Sequence, residues 1–539
     1  MFNGHNNIGF ASSAKGDKKV KVYSTAQQDY LPEDFTLATD EEIEQATSKA
    51  KSAFELYKKT SPDERAIFLE SIAEEILNTG EVLIQRAMLE TGLPEARLLG
   101  ERGRTVTQLK MFASLLREGS WVEAVIDPAM PERKPLPRAD IRKMLYPVGP
   151  VAVFGASNFP FAFSTAGGDA ASALAAGCTV IVKAHTSHLG TNELVANAIV
   201  VAAKKCNMPD GVFSSLVGEG ANLGQALAKH PAIKAIGFTG SFRAGMALYK
   251  TAVNDREVPI PVYAEMSSIN PVIILPQKLQ EDIDKTATQL AGSITLGVGQ
   301  FCTNPGLLFI INSSAADAFT NKLAEQLQAT SAGTMLNQAI SKSYYAGRED
   351  IVKEKGVSAI FLGEDASNSH KGSPALMEVS ATDFIANSAL QNEIFGPASL
   401  IVKCNDQAQM HEALQSLHGQ LTGTVFGSSE DIITYADCID ALTEKVGRLI
   451  YNSVPTGVEV CHAMIHGGPF PSTTDGRMTS VGADAIKRFV RPVCYQDCPG
   501  EFLPDALKDS NPLGIMRKLD GAYTTSGIAH KEFIQSTPV

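Results

Sequence analysis

The sequence predicts an α/β protein built on a doubly wound parallel sheet. Two observations carry this. From residue 148 to 275, short β-rich apolar runs alternate with helices of small residues, and polar residues recur at the carboxyl ends of those runs. The strand candidates are Val151–Phe154, Val180–Lys183, Val212–Val217, Ala235–Phe238 and Val262–Glu265. Between them lie the helical stretches Ser164–Ala176, His188–Lys204, Asn222–Lys229 and Arg243–Val253. Such alternation gives parallel strands, and parallel sheets bind ligands at their carboxyl ends.

The remaining elements follow the same reading. Ile43, Ala46, Ala50, Ala53, Phe54 and Tyr57 recur at helical spacing. Ser61-Pro62-Asp63-Glu64 reads as a helix start with a capping box, and Gly80 as the end of that segment. Residues 118–147 hold five prolines and the one Trp, a composition that disfavours helix and central strand, so an extended arm is expected. A second α/β region runs from about 271 to 480, and the tail after Arg491 reads as irregular. At about 100–200 residues per domain, 539 residues make two to four units.

Composition removes several classes of function. The net charge of −12 weighs against nucleic acid and anionic membranes as partners. No run approaches the ~18 apolar residues of a membrane span, and Met1 to Lys18 lacks the apolar core of a signal peptide. Eight cysteines without a CxxC pair suit reduced thiols of the cytoplasm, not a disulfide framework or a zinc site.

Six places could carry chemistry, each with a bland alternative. Cys302 in Gly299-Gln300-Phe301-Cys302-Thr303 is either an exposed thiol on a turn or a buried small hydrophobe. Phe238-Thr239-Gly240-Ser241-Phe242-Arg243-Ala244-Gly245 joins a strand to a helix start, where free N–H groups suit an anion, although it is not the GxGxxG fingerprint. Lys183, at a strand end, could reach ribose hydroxyls or a phosphate, or simply be solvated. Glu265 is a general base, a cap or an ion-pair partner. Glu393 in Glu393-Ile394-Phe395-Gly396-Pro397 could be a turn carboxylate, and Asn158 could stabilise the turn before Pro160.

Together these motifs, in this order and spacing, resemble the aldehyde dehydrogenase superfamily from about residue 30 to 500, with Asn452 and Pro455-Thr456-Gly457 completing the set. The similarity is greatest to α-ketoglutaric semialdehyde (2,5-dioxovalerate) dehydrogenases and to bacterial NADP-linked fatty aldehyde dehydrogenases. It rests on Phe154-Gly155-Ala156-Ser157-Asn158-Phe159-Pro160-Phe161, Lys183-Ala184-His185, Cys302-Thr303-Asn304-Pro305-Gly306, Pro471-Ser472-Thr473-Thr474-Asp475 and Arg491-Pro492-Val493-Cys494-Tyr495-Gln496.

The resemblance implies a Rossmann-type cofactor domain from 1–117 and 148–266, and a catalytic domain from 267–484. It also implies bridging segments at 118–147 and 485–510, a tail from 511–539, and a homodimer or homotetramer. Cys302 would attack an aldehyde to form a thiohemiacetal, with Asn158 and the Cys302 N–H holding the oxyanion. Glu265 would activate water to hydrolyse the ensuing thioester. Phe154, Lys183, Thr186, Gly240, Ser241, Gly245, Glu393 and Phe395 would hold the cofactor.

Two departures from the family pattern matter. Met266-Ser267-Ser268 follows Glu265 where Leu-Gly-Gly is usual, which puts the nicotinamide placement in question. Thr186 stands where NAD-preferring members carry a Glu, so NADP use is expected with NAD tolerated. The implied reaction converts 2,5-dioxopentanoate to 2-oxoglutarate. Fatty aldehydes are the alternative substrates, for which Phe159, Phe161 and Phe163 would line an apolar tunnel or belong to the core. Transfer of the acyl group to coenzyme A is opposed by Glu265, and an inactive binding protein on the same fold by the joint presence of Cys302, Glu265 and Asn158.

Overall fold

The computed structural model describes residues 2–528. Three sheets organise it. The first has seven strands in the spatial order Val262–Glu265, Ala235–Thr239, Val151–Phe154, Val180–Lys183, Phe213–Leu216, Asn6–Ile8 and Ala11–Ser13. The first five are parallel, and the N-terminal hairpin adds two antiparallel strands at the far edge. The chain winds outward from Val151–Phe154 in one direction, then returns to the other side of that strand. The reversal opens a crevice beyond the carboxyl ends of Val151–Phe154 and Ala235–Thr239, the place where such sheets bind ligands.

The helices between these strands match the sequence reading to within a few residues. The apolar spacing of the first produces Asp40–Tyr57, with Ile43, Ala46, Ala50, Ala53 and Tyr57 buried. Ser61 and Glu64 form the expected capping box of Pro62–Asn78. Gly80 ends that segment as expected, with φ 60 just past the cap residue Thr79, and the next helix, Gly80–Thr91, starts at the same residue. The helix Gly168–Ala176 is buried at every position, which its small side chains permit.

The second sheet also has seven strands, in the order Ser358–Leu362, Ala375–Ser380, Ala398–Cys404, Leu307–Ile311, Val272–Ile274, Gln420–Phe426 and Val446–Tyr451. All are parallel except the first.

The third sheet corrects two expectations. Residues 118–147 are not only an extended arm, and the tail after Arg491 is not irregular. Val490–Gln496, Ile141–Pro147, Val125–Asp127, Arg517–Leu519 and Ala522–Thr524 form a five-stranded sheet. Pro128, Pro131, Pro135 and Pro137 fall in the connection between two strands, so Ile141 to Lys143 pair on both sides without a proline. Pro492 sits on an edge strand, where a missing N–H is tolerated. The expected tail extends past 528, and that part lies outside the described residues. No helix among the described residues is long and apolar enough to cross a membrane.

A buried ion pair ties the C-terminal part to the first sheet. Arg488 donates to Asp169 Oδ1 at 2.6 Å and to Ser172 Oγ at 3.2 Å, with both charged side chains at most 10% exposed. Removing one partner strands the other charge away from water. Asp169→Ala is therefore expected to cost about 3–5 kcal/mol in urea denaturation, and a loss under 1 kcal/mol would contradict the assignment.

Candidate active site

Glu265 ends the edge strand of the first sheet. A short antiparallel contact pins it there: Met266 N–H donates to Ser472 O at 2.7 Å and Thr474 N–H to Ala264 O at 3.1 Å. The segment that supplies these contacts also carries His466 and Ser480. Ser480 Oγ donates to Glu265 Oε2 at 2.8 Å, and His466 Nε2 lies 3.0 Å from Glu265 Oε1. The second contact is short but off-line, a close approach and not an aligned hydrogen bond.

Cys302 arrives from the second sheet's side. Ahead of it, Gly297, Val298 and Gly299 all have positive φ, which is costly for a β-branched valine. The turn is enforced by a close backbone approach. A Cβ on Gly299 would fall 2.3 Å from the carbonyl carbon of Gly396. That contact seats the Cys302 loop against the loop bearing Glu393 and Phe395. Asn270 Nδ2 fixes the turn from beneath, donating to Cys302 O at 2.8 Å and Asn304 O at 2.9 Å.

The thiol sulfur is 3.3 Å from the same His466 Nε2, and the ligand atoms of Cys302, His466 and Glu265 all lie within 4.8 Å of one another. Burial and the Glu265 charge push the Cys302 thiol well above its usual range. Burial works to raise the Glu265 carboxyl too, but His466, Ser480 and Cys302 outweigh it and hold that carboxyl low. The resting arrangement is a thiol beside a carboxylate, with an imidazole touching both.

Asn158 Nδ2 donates one hydrogen to Gln300 O at 3.1 Å, leaving the second free. The Cys302 N–H donates to no protein acceptor among the described residues. Both donors suit an oxygen built up at the thiol. The Asn158 carbonyl accepts from Arg97 at 3.1 Å.

A cavity of about 940 Å³ lies at the crevice of the first sheet and reaches Cys302. Phe154, Asn158, Lys183, Thr186, Gly240, Ser241, Glu265, Glu393 and Phe395 line it, so the structure brings together every predicted site residue except one. Gly245 does not line it. It faces Met266, whose sulfur would lie 2.7 Å from an added Cβ, so its small size serves helix-to-strand packing and not the cavity.

Lys183 is buried with no ion-pair partner within 4 Å among the described residues, and burial draws its pKa down to about 8 despite the Glu219 charge. Ser241 caps the helix Phe242–Asn254, whose first turn carries no acidic residue. An unpaired ammonium and a helix start facing one cavity fit a phosphate-bearing, hydroxyl-rich ligand. Glu393 is raised to about 7 by burial, against hydrogen bonds from Ser267 and the Ser268 N–H. Of the two serines that replace the usual glycines, Ser267 faces Glu393 with its side chain, whereas Ser268 Oγ turns away and donates to Gln420 Oε1 at 3.0 Å.

Sequence reasoning missed His466, Ser480 and the arginines of the helix Glu95–Glu118. Asn452, part of the family motif, instead brackets the backbone of Gly427 with bonds of 3.0 and 2.9 Å.

Residues 10–492 match the aldehyde dehydrogenase family. The chain belongs to that family. It is 53% identical over 487 residues to α-ketoglutaric semialdehyde dehydrogenase 2 of Azospirillum brasilense, covering 90% of this chain and 93% of that one. It is 47% identical over 506 residues to the α-ketoglutaric semialdehyde dehydrogenase of Acinetobacter baylyi, covering 93% and 96%. Among solved structures, betaine aldehyde dehydrogenase from Staphylococcus aureus in complex with NAD+ superposes with a TM-score of 0.78 at 19% identity, covering 93% of this chain and 96% of that one. Enzymes of this family use a nicotinamide cofactor.

If Glu393 and Lys183 hold the cofactor, the two shifted groups set opposite limits on its capture. Glu393, raised to about 7, loses its charge as the pH falls, and Lys183, lowered to about 8, loses its charge as the pH rises. Since kcat/KM for the cofactor reports the free enzyme, it is expected to peak between these values. Glu393→Gln should abolish the acid limb and leave the alkaline one. A profile whose acid limb survives this change would refute the assignment.

Proposed function

We propose that the chain oxidises 2,5-dioxopentanoate to 2-oxoglutarate, with Cys302 as nucleophile and Glu265 as the hydrolytic base. The observation that carries this is the Cys302–His466–Glu265 cluster at the inner end of the cavity, in a chain about half identical to two α-ketoglutaric semialdehyde dehydrogenases.

The resting thiol must lose its proton as it attacks the aldehyde carbon. His466 Nε2, at 3.3 Å, is placed to take it. The oxygen that becomes negative is received by Asn158 Nδ2 and the Cys302 N–H, and one such donor is worth about 10²–10³ in rate. A nicotinamide dinucleotide bound in the cavity supplies the hydride acceptor. Lys183 and Glu393 hold its riboses, the N–H groups at Ser241 its pyrophosphate, and Phe154 and Phe395 flank it. Glu265 then removes a proton from the water that cleaves the Cys302 thioester, steadied by Ser480 on its second oxygen.

The cavity supports the expectation of NADP over NAD. Its cations are Lys21, Lys183 and Arg243, and its carboxylates, Glu265 and Glu393, both belong to the catalytic end. Thr186 lines it without a charge that would repel a 2′-phosphate. The units 1–117 with 148–266, and 267–484, serve as cofactor and catalytic domains in this reading. The five-stranded sheet, with Val490–Gln496 as its open edge, bridges subunits of a homodimer or homotetramer.

Fatty aldehydes form the second reading, favoured by the apolar cluster of Phe159, Phe163 and Phe301 beside the site. Phe161 belongs to the main core instead.

Glu265→Gln is expected to give one burst of reduced cofactor per active site, then turnover slowed about 10²–10⁴-fold, with acyl-Cys302 seen by mass spectrometry. Steady turnover without a trapped acyl group would remove Glu265 from the hydrolytic step. With wild type, kcat/KM is expected to be higher for NADP than for NAD, and higher for 2,5-dioxopentanoate than for hexanal. The reverse order in either pair would overturn that part of the proposal.

A further inference from the structure

We infer that Arg104, supported by Arg448, binds the carboxylate at the far end of the substrate and so selects a charged semialdehyde over an apolar one. This rests on the substrate reading above.

The helix Glu95–Glu118 places Arg97, Glu101 and Arg104 along one face toward the site. Arg97 is accounted for: it faces Glu101 at 3.5 Å and donates to the Asn158 carbonyl. Glu101 in turn accepts from the N–H groups of Phe161 and Ala162 at 2.8 and 3.0 Å. Arg104 has no such account. Its Nε and Nη2 are buried without a hydrogen-bond acceptor, and no carboxylate lies within ion-pair distance among the described residues.

Other buried arginines each reach at least one acceptor, although Arg65 Nε and Arg86 Nη2 are also left without a hydrogen bond. Arg86 meets Glu33 and Glu90, Arg488 meets Asp169, and Arg65 donates to a helix carbonyl. Arg104 as a whole is half-buried, but two of its three guanidinium nitrogens are removed from water without an acceptor, which is costly. A substrate carboxylate would supply the acceptor that these two nitrogens lack.

Its position points to the substrate. The Arg104 guanidinium lies over the Phe163 ring at 5.1 Å, and that ring is 6.0 Å from the His466 ring that touches Cys302. Arg448 adds a second cation. Its Nη2 and Nη1 donate to Pro455 O at 2.7 Å and Gly457 O at 3.1 Å, while its Nε is buried without an acceptor. Its charge reaches both Cys302 and Arg104. Two guanidinium groups without a counter-ion, bordering aromatic rings, form a site for a planar carboxylate.

The test compares wild type, Arg104→Met and Arg104→Lys on 2,5-dioxopentanoate and on hexanal. Arg104→Met is expected to lower kcat/KM for the charged substrate about 10²-fold, mainly through KM, and to leave hexanal within about threefold. Arg104→Lys keeps the charge but not the fork, and should recover part of the loss. Binding of 2-oxoglutarate by calorimetry should weaken in the same order.

Equal losses on both aldehydes, or none on either, would overturn the anchor. So would unchanged 2-oxoglutarate binding. Should Arg104→Met fail to fold, Arg104→Lys decides: a loss confined to the charged substrate supports the anchor, and no selective loss overturns it. A wild type that prefers hexanal would instead sink the substrate reading, which separates the two failures.

Discussion

The site depends on one constraint: an ionised carboxylate is kept almost out of water, in contact with an imidazole and next to a thiol. Glu265 is 4% exposed and His466 1%. Left alone, a buried carboxylate would take up a proton. Here Ser480 holds one oxygen and His466 faces the other, so the charge persists. The persistent charge then acts on Cys302, making a thiolate unfavourable at rest. A thiol that stays protonated until substrate arrives is protected from adventitious alkylation and oxidation. The same geometry offers the departing proton an acceptor at contact distance.

This cluster exists only because two separately wound sheets end at the same place. Glu265 belongs to the first, and Cys302 and Glu393 are carried on loops of the second. The loop seams are made by backbone approach where side chains would not fit, as at Gly299 against Gly396. The stretch carrying His466 and Ser480 is then laid across the seam, held to the Glu265 strand by Ser472 and Thr474. Fold and chemistry are joined at that last contact, since the hydrogen bonds that continue the strand also position the acid–base pair.

What was legible in the sequence follows from this construction. Lys183, Ser241 and Glu265 end strands of a regular strand–helix alternation, so local periodicity placed all of them on one rim. Cys302, Glu393 and Asn158 sit on loops, where periodicity is silent. They were readable only through the order and spacing of motifs shared with a family. His466 had neither signal. It lies 164 residues beyond Cys302 in a stretch without regular structure, fixed by the contact of its N–H with Thr479 Oγ1 and by the strand-like pairing of Ser472 to Thr474. The Gly467-Gly468-Pro469 run after it marks a backbone that must be special, and was the one available hint. Arg104 was hidden for another reason. On an amphipathic helix it reads as a solvated residue, and only its lack of acceptors in three dimensions sets it apart.

The claim that Glu265 governs the thiol can be read from the pH dependence of Cys302 alkylation by iodoacetamide, with the modified residue identified by peptide mass spectrometry. The account predicts that wild type reacts with a midpoint above that of an ordinary cysteine, and that Glu265→Gln shifts the midpoint to lower pH. An unchanged or higher midpoint in Glu265→Gln would contradict it.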